Sequence, residues 1–235
     1  MTENPAEIEC TVVVFARAPE PGRVKTRLIP ELGAAGAAAL HRRLVAHSLA
    51  AATQAAIGPV ELWCAPDSGD PFFEECRRRF GVSLHTQGEG DLGARMRRAL
   101  GSALTRSARA ILVGSDIPAL SARYLRDAGE ALARGDDVVI GPAEDGGYVL
   151  IGLSRRDPEL FREIPWGSPE VLAETRRRIA ALRRRSSELP VLWDVDRPED
   201  LRRLPKDMRE SLMPAASGIG GRNGSGKPRN PAGLS

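Results

Sequence analysis

Short apolar, largely β-branched runs alternate with stretches of helical spacing along nearly the whole chain, and this alternation limits the possible folds more than any other feature. The runs fall at residues 11–15, 60–64, 82–85, 110–113, 138–140, 148–151 and 189–195. Helical stretches lie between them at 33–56, 72–80 and 92–103, the last with Leu92, Met96, Leu100 and Ala103 on one apolar stripe. Another carries Leu125, Ala128 and Leu132 behind Ser121 as N-cap. A further helix, with Leu172, Thr175, Ile179 and Leu182, opens at Ser168-Pro169, and a short one closes the pattern at 198–204, capped by Asp196. Such alternation predicts an α/β fold of three layers, α/β/α, with a mostly parallel sheet. Aromatic residues are 4% of the chain, so the core must be built from Val, Leu, Ile and Ala, as a sheet covered on both faces requires. The length suits one large domain, placed at 11–211, with an N-terminal extension at 1–10 and a disordered tail at 212–235.

Charge and composition exclude several classes. The net charge is +3, and the stretch from Met213 onward holds Arg222, Lys227 and Arg229 with no acid, so the rest of the chain is balanced. That argues against a nucleic-acid partner, whose binding surface would carry the excess on the folded part. Cys10, Cys64 and Cys76 are too widely spaced for a zinc site or a disulfide framework, and reduced thiols in a cytoplasmic protein are expected. The acidic N-terminus lacks the apolar segment of a signal peptide, and charges interrupt the Ala-rich stretch 34–57, so no membrane span is expected. Residues 221–227 have P-loop spacing, but Pro228 stands where Ser or Thr should be, and no strand precedes them.

In parallel α/β sheets ligands bind beyond the carboxyl ends of the strands, so the segments after each strand carry the functional expectations. After the first run comes Phe15-Ala-Arg-Ala-Pro-Glu-Pro-Gly-Arg-Val-Lys-Thr-Arg27. Its Ala16, Arg17, Gly22, Arg23, Lys25 and Arg27 combine free backbone N–H groups with flexible cations, as phosphate binding requires. A solvated basic loop is the structural alternative. Gly114-Ser-Asp-Ile-Pro118 follows a strand apolar enough to be central, which places Asp116 where a carboxylate can hold Mg²⁺ or Mn²⁺ against phosphate oxygens. Asp194 and Asp196, two apart, point to one side of an extended segment, and either can join that metal. In the loop at 87–93, Gln87 can reach a base edge, while Gly88, Gly90 and Gly93 allow close approach of a nucleotide and Asp91 either joins it or caps a helix. In the loop at 141–148, Glu144, Asp145, Gly146, Gly147 and Tyr148, together with Trp166, are the candidate acceptor or sugar contacts, with Asp145 a candidate base. Lys25 and Asp145 are the candidate catalytic residues. His41, His47 and His85 carry no expected role.

Five of these segments, in order over residues 11–204, resemble the bacterial family of small GT-A-type, nucleotide-diphospho-sugar transferase-like glycosyltransferases, one branch of which is associated with arsenosugar synthesis. They are the segment at 15–28, Gln87-Gly-x-Gly-Asp-Leu-Gly-x-Arg-Met96, Gly114-Ser-Asp-Ile-Pro118, Gly141-Pro-x-x-Asp-Gly-Gly-Tyr148 and Trp193-Asp-Val-Asp-x-Pro-Glu-Asp-Leu201. The resemblance implies the nucleotide-diphospho-sugar transferase fold, a divalent metal held by an acid at the position of Asp116, a nucleotide sugar or nucleoside triphosphate as ligand, and a small-molecule acceptor. Lys25-Thr-Arg-Leu28 is similar to the loop of the 2-phospholactate guanylyltransferases, and a single Asp replaces the Asp-x-Asp of many glycosyltransferases. Glycosyl transfer is therefore the expectation, with nucleotidyl transfer as its alternative and a non-catalytic nucleotide-binding domain as a third reading.

Overall fold

The computed structural model describes residues 8–206 and 208. The expected tail at 212–235, with its P-loop spacing, lies outside the described residues, as do residues 1–7. The elements run β1 (Ile8–Arg17), α1 (Ile29–Ala55), β2 (Val60–Ala65), α2 (Pro71–Phe80), β3 (Ser83–Thr86), α3 (Leu92–Ala103), β4 (Ser107–Val113), α4 (Ala122–Ala133), β5 (Val138–Pro142), β6 (Tyr148–Leu153), α5 (Val171–Ala181) and β7 (Ser186–Glu188). Short 3-10 turns occupy Thr26–Leu28, Pro158–Phe161 and Pro198–Arg203.

Among the described residues, the strands form one sheet in the order β3-β2-β1-β4-β6-β5-β7. Only β6 runs antiparallel to its neighbours β4 and β5, because β5 and β6 form a hairpin. The chain winds outward from β1 in one direction and from β4 in the other. Their parallel pairing therefore marks the switch point where the loops beyond the two strands diverge and leave a crevice.

Strand alternation divides the core. Val12 and Val14 pack on one face with residues of α1, α2 and α4, while Val13 and Phe15 pack on the other with residues of α3 and α5. A third cluster fixes the site. Leu28, Ala37, Leu40 and Leu44 of the α1 region enclose Val195 and Leu204, both almost fully buried. Burying Val195 stabilises its segment by roughly 1.5–3 kcal/mol and anchors the backbone between Asp194 and Asp196.

Four sequence expectations need correction. β1 starts at Ile8, so part of the supposed N-terminal extension belongs to the sheet. The run 189–195 is not a strand. Leu189 and Leu192 donate to the carbonyls of Ile140 and Pro142, donors three apart meeting acceptors two apart, so the regular ladder slips and ends here, and Val195 donates instead to the Asp116 carbonyl at 2.9 Å. The segment thus crosses the carboxyl edge of the sheet from β5 to the end of β4. The helix expected at Ser168-Pro169 begins at Val171, with the Ser168 hydroxyl accepting from Glu170 N–H. The closing helix is a 3-10 turn with Arg197, not Asp196, at its N-cap, and the Asp200 carboxylate reaches back from the first turn to accept from the backbone N–H of both Asp196 and Arg197.

Candidate active site

A cleft of about 840 Å³ opens at the carboxyl end of the sheet. It is lined by Arg27, Asp116, Glu144, Asp145, Tyr148, Trp166, Trp193, Asp194, Asp196 and Arg203, over an apolar floor of Phe15, Met96 and Ile151. Backbone bonds bring these separate segments together. Gly114 N–H donates to the Val149 carbonyl, Glu144 N–H to Leu192, and Val195 N–H to Asp116, so the ends of β4, β5, β6 and the 192–196 segment are tied side by side.

Asp116 lines this cleft, and Lys25 lies buried against it. The ammonium Nζ lies 2.8 Å from Asp116 Oδ2 and also donates to the Val195 carbonyl, and the Lys25 side chain is 5% exposed. Lys25 holds this position from a left-handed backbone, φ 49°, which a residue with a Cβ adopts only at a cost. On the far side, His41 Nδ1 approaches Asp116 Oδ1 at 3.4 Å, while His41 Nε2 meets the Arg17 carbonyl at 3.0 Å. Burial would raise the Asp116 carboxyl, but the Lys25 ammonium and the His41 ring outweigh it and hold the group well below the usual carboxylate range. His41 was given no role from sequence. A signal for it existed, since it is the polar interruption of the buried α1 face formed by Ala37, Ala38, Leu40, Leu44 and Val45.

The three expected metal ligands have different partners. Asp116 pairs with Lys25, Asp196 pairs with Arg27, and Asp194 faces Asp145. Burial first, and the Asp145 carboxylate second, push the Asp194 carboxyl up to about 6, with Lys25 partly offsetting them. The donor set is the kind that hard cations take, carboxylate oxygens with Asp116 Oδ1 buried and without a hydrogen-bond partner. Among the described residues, no group of three or more His, Cys, Asp or Glu side chains is arranged to hold a metal ion as it stands. The cation beside Asp116 in this structure is Lys25.

The acceptor-side candidates reach the cleft, although the double glycine serves the fold. Gly146 has φ 88°, and a Cβ there would lie 2.3 Å from the Pro169 carbonyl oxygen, so its bareness lets the loop pack on its own chain rather than on a ligand. Asp145 accepts from Gly147 N–H at 2.9 Å and lines the cleft. Glu144 is held by both terminal nitrogens of Arg203, at 2.7 and 2.8 Å, and that guanidinium rests on the Trp193 ring at 4.3 Å. Sequence reasoning missed Arg203, whose only cue was its place in the closing turn. Trp166 packs edge-on against Tyr148 and covers the start of α3. A Cβ at Gly93 would lie 2.6 Å from its Nε1.

Most of the expected nucleotide contacts sit elsewhere. Arg17 is exposed, and Arg23 is exposed and pairs with Glu20 at 3.1 Å; neither lines the cleft. Gly22 shapes the turn before them. Gln87 is buried, and its Nε2 donates to the carbonyls of Ala16 and Trp63. The Arg98 guanidinium closes over Gly88 and donates to the carbonyls of Gln87 and Glu89, with Gly90 completing the turn. Asp91 caps α3, accepting from Ala94 N–H at 2.7 Å. The other histidines brace the fold: His47 meets the Leu120 carbonyl and His85 stacks on Trp63. The three cysteines are buried and unpaired, and burial raises each thiol to about 12. Among the described residues, no helix is long and apolar enough to cross a membrane.

The family described as uncharacterized protein conserved in bacteria, DUF2064, matches residues 48–168, about half of the chain. The chain belongs to this family. Among solved structures it is similar to a protein of Desulfovibrio desulfuricans G20, provisionally described as a nucleotide-diphospho-sugar transferase. The two share 33% identity over 80% of this chain and 82% of that one, with a TM-score of 0.71. It also resembles a CMP:2-keto-3-deoxy-manno-octonic acid synthetase solved with CTP, at 16% identity over 83% and 96%, TM-score 0.52. Rv0371c of Mycobacterium tuberculosis H37Rv, solved with manganese, matches at 20% over 83% and 97%, TM-score 0.53. The last two likenesses bear on the fold alone. No curated protein matches the sequence. The DUF2064 chain thus has the nucleotide-diphospho-sugar transferase fold expected from its motifs.

Proposed function

We propose that this DUF2064 protein is a divalent-metal-dependent transferase that moves a sugar from a nucleoside diphosphate sugar to a small-molecule acceptor. The observation that carries this reading is the convergence of Asp116, Asp194 and Asp145 on one cleft at the β1/β4 switch point, with the Lys25 ammonium buried against Asp116. The relative at 33% identity, described as a nucleotide-diphospho-sugar transferase, supports the donor class.

Asp116 and Asp194 are the residues that would hold Mg²⁺ or Mn²⁺, Asp194 being preferred to Asp196 because Asp196 is engaged by Arg27. The ion, when bound, supplies positive charge opposite the leaving diphosphate. The remaining work falls to side chains. Lys25 and Arg27 offer cations to the diphosphate oxygens, the main electrostatic demand of the reaction. Asp145, on the acceptor side, orients or deprotonates an acceptor hydroxyl. Glu144, fixed by Arg203 on Trp193, sets the place of that loop. Tyr148 and Trp166 form the wall against which a sugar ring lies.

The test is incubation with a panel of nucleoside diphosphate sugars and nucleoside triphosphates with Mn²⁺ and Mg²⁺. Metal-dependent release of a nucleoside diphosphate supports glycosyl transfer, and release of pyrophosphate from a triphosphate replaces it with nucleotidyl transfer. Turnover of no donor with either metal would sink both and leave a binding domain.

A further inference from the structure

The chain has 34 basic residues, and only three of them are lysines: Lys25, Lys206 and Lys227. Against so strong a bias toward arginine, a lysine stands at the buried position beside Asp116. The two cations differ in a way that matters there. A guanidinium is a planar fork that commits two directions, whereas an ammonium is a compact, strongly hydrated point charge with three rotatable donors. Arg27 and Arg203, two of the arginines that line the cleft, are each already engaged by an acid, Asp196 and Glu144. Lys25 instead sits on Asp116, 5% exposed, from a strained left-handed backbone.

From this arrangement we infer that Lys25 is an internal cation that occupies the metal's side of Asp116 until a nucleotide's phosphates draw it away, so that the protein takes up a divalent ion together with the nucleotide and not before it. The inference rests on the proposed function and adds an order of binding to it. Three observations carry it. The ammonium is 2.8 Å from Asp116 Oδ2, close enough that a second cation at that oxygen would be repelled. Its other bond, to the Val195 carbonyl, holds it between Asp116 and the segment bearing Asp194, the place where those carboxylates would have to share an ion. The ammonium sits at the end of a flexible four-carbon stem, so it can follow a stronger anion without the backbone moving. Without Lys25, Asp116 would be a half-buried carboxylate open to a cation.

The experiment is Mn²⁺ binding to the full chain at fixed pH, followed by the loss of the free Mn²⁺ paramagnetic signal, for the wild type, Lys25→Met and Lys25→Arg. Lys25→Met is expected to bind Mn²⁺ alone at least tenfold more tightly than wild type, and Lys25→Arg no more tightly than wild type. With Mn²⁺–nucleotide complexation subtracted from a protein-free titration, adding ADP, CDP, GDP or UDP in turn should tighten Mn²⁺ binding to wild type at least tenfold for one of them, and change Lys25→Met much less. Equal or weaker Mn²⁺ binding by Lys25→Met overturns the inference. Should Lys25→Met fail to fold, the wild type alone decides, because Mn²⁺ affinity that does not change with any of the four nucleotides contradicts the binding order. If the wild type binds a Mn²⁺–nucleotide complex while Lys25→Met gains nothing, the inference falls and the proposed function stands. If no nucleotide binds with or without Mn²⁺, the proposed function falls.

Discussion

Two acidic, glycine-bearing loops follow strands of this sheet, one beyond β3 and one beyond β5, and they are put to opposite uses. In the loop at 87–91, polar side chains are spent on the protein's own backbone. Gln87 bridges the ends of β1 and β2, Asp91 caps α3, and Arg98 binds the loop's carbonyls. In the loop at 143–148, Asp145 meets one N–H of its own turn and otherwise faces Asp194 across the cleft. A glycine-rich acidic segment therefore announces a chain that turns tightly, and only the partners of its side chains say whether the turn braces the fold or addresses a ligand.

Substitutions can break this contrast. The largest effect is expected from Asp145→Asn, which should lower turnover about 100-fold, the low end for loss of a general acid or base, while leaving chemical denaturation near wild type. A large loss of stability with Asp145→Asn would make both loops bracing. Gln87→Leu should do the reverse. It leaves the buried Ala16 and Trp63 carbonyls short of a donor, costing about 2–3 kcal/mol in urea unfolding, and any change in nucleotide affinity should be minor. Asp194→Asn sharpens the contrast through pH. The folded carboxyl titrates near 6 against a usual 3.8, so the native state holds a proton that the unfolded state has lost between those values. Stability contributed by this group therefore falls as pH rises through the window. The variant should exceed wild type by about 1–2 kcal/mol at pH 7.5, with the gain vanishing below pH 4. The smallest effect is expected from Asp91→Ala, about 1 kcal/mol for the loss of a helix cap, read from the unfolding midpoint.

Much of the fold was legible because local chemistry and tertiary context agreed. Ser121 and Asp91 sit at N-caps as their types demand, and the apolar stripes of α3 and α4 are buried except Leu92, which lies at the cleft mouth. The run 189–195 misled because its apolar residues answer to separate neighbours, with Val195 entering the α1 cluster, while the register slip between Leu189 and Leu192 breaks the ladder. Asp196 had the spacing of a cap, but Arg27, distant in sequence, claims its carboxylate and Asp200 takes the capping role. At the candidate site, Asp116, Glu144 and Asp145 were legible because each closely follows a strand, Lys25 because of the basic cluster beyond β1, and Asp194 and Asp196 because of their two-residue spacing, although the segment that bears them is not a strand. His41 and Arg203 were not, since their partners are set by packing that spans large sequence separations. In the basic loop at 15–27, Lys25 is buried on Asp116 and the exposed Arg27 borders the cleft, whereas Arg17 and Arg23 face solvent away from it.

The proposed function depends most on Asp116 joining a cation to a nucleotide's phosphates. Thermal unfolding of wild type and Asp116→Asn, each with four nucleoside diphosphates and with or without Mn²⁺, measures that directly, since a ligand that binds only the folded chain raises its midpoint. One nucleotide should raise the wild-type midpoint only with Mn²⁺ present, and Asp116→Asn should lose that rise. A rise that ignores Mn²⁺, or one that survives in Asp116→Asn, would contradict it.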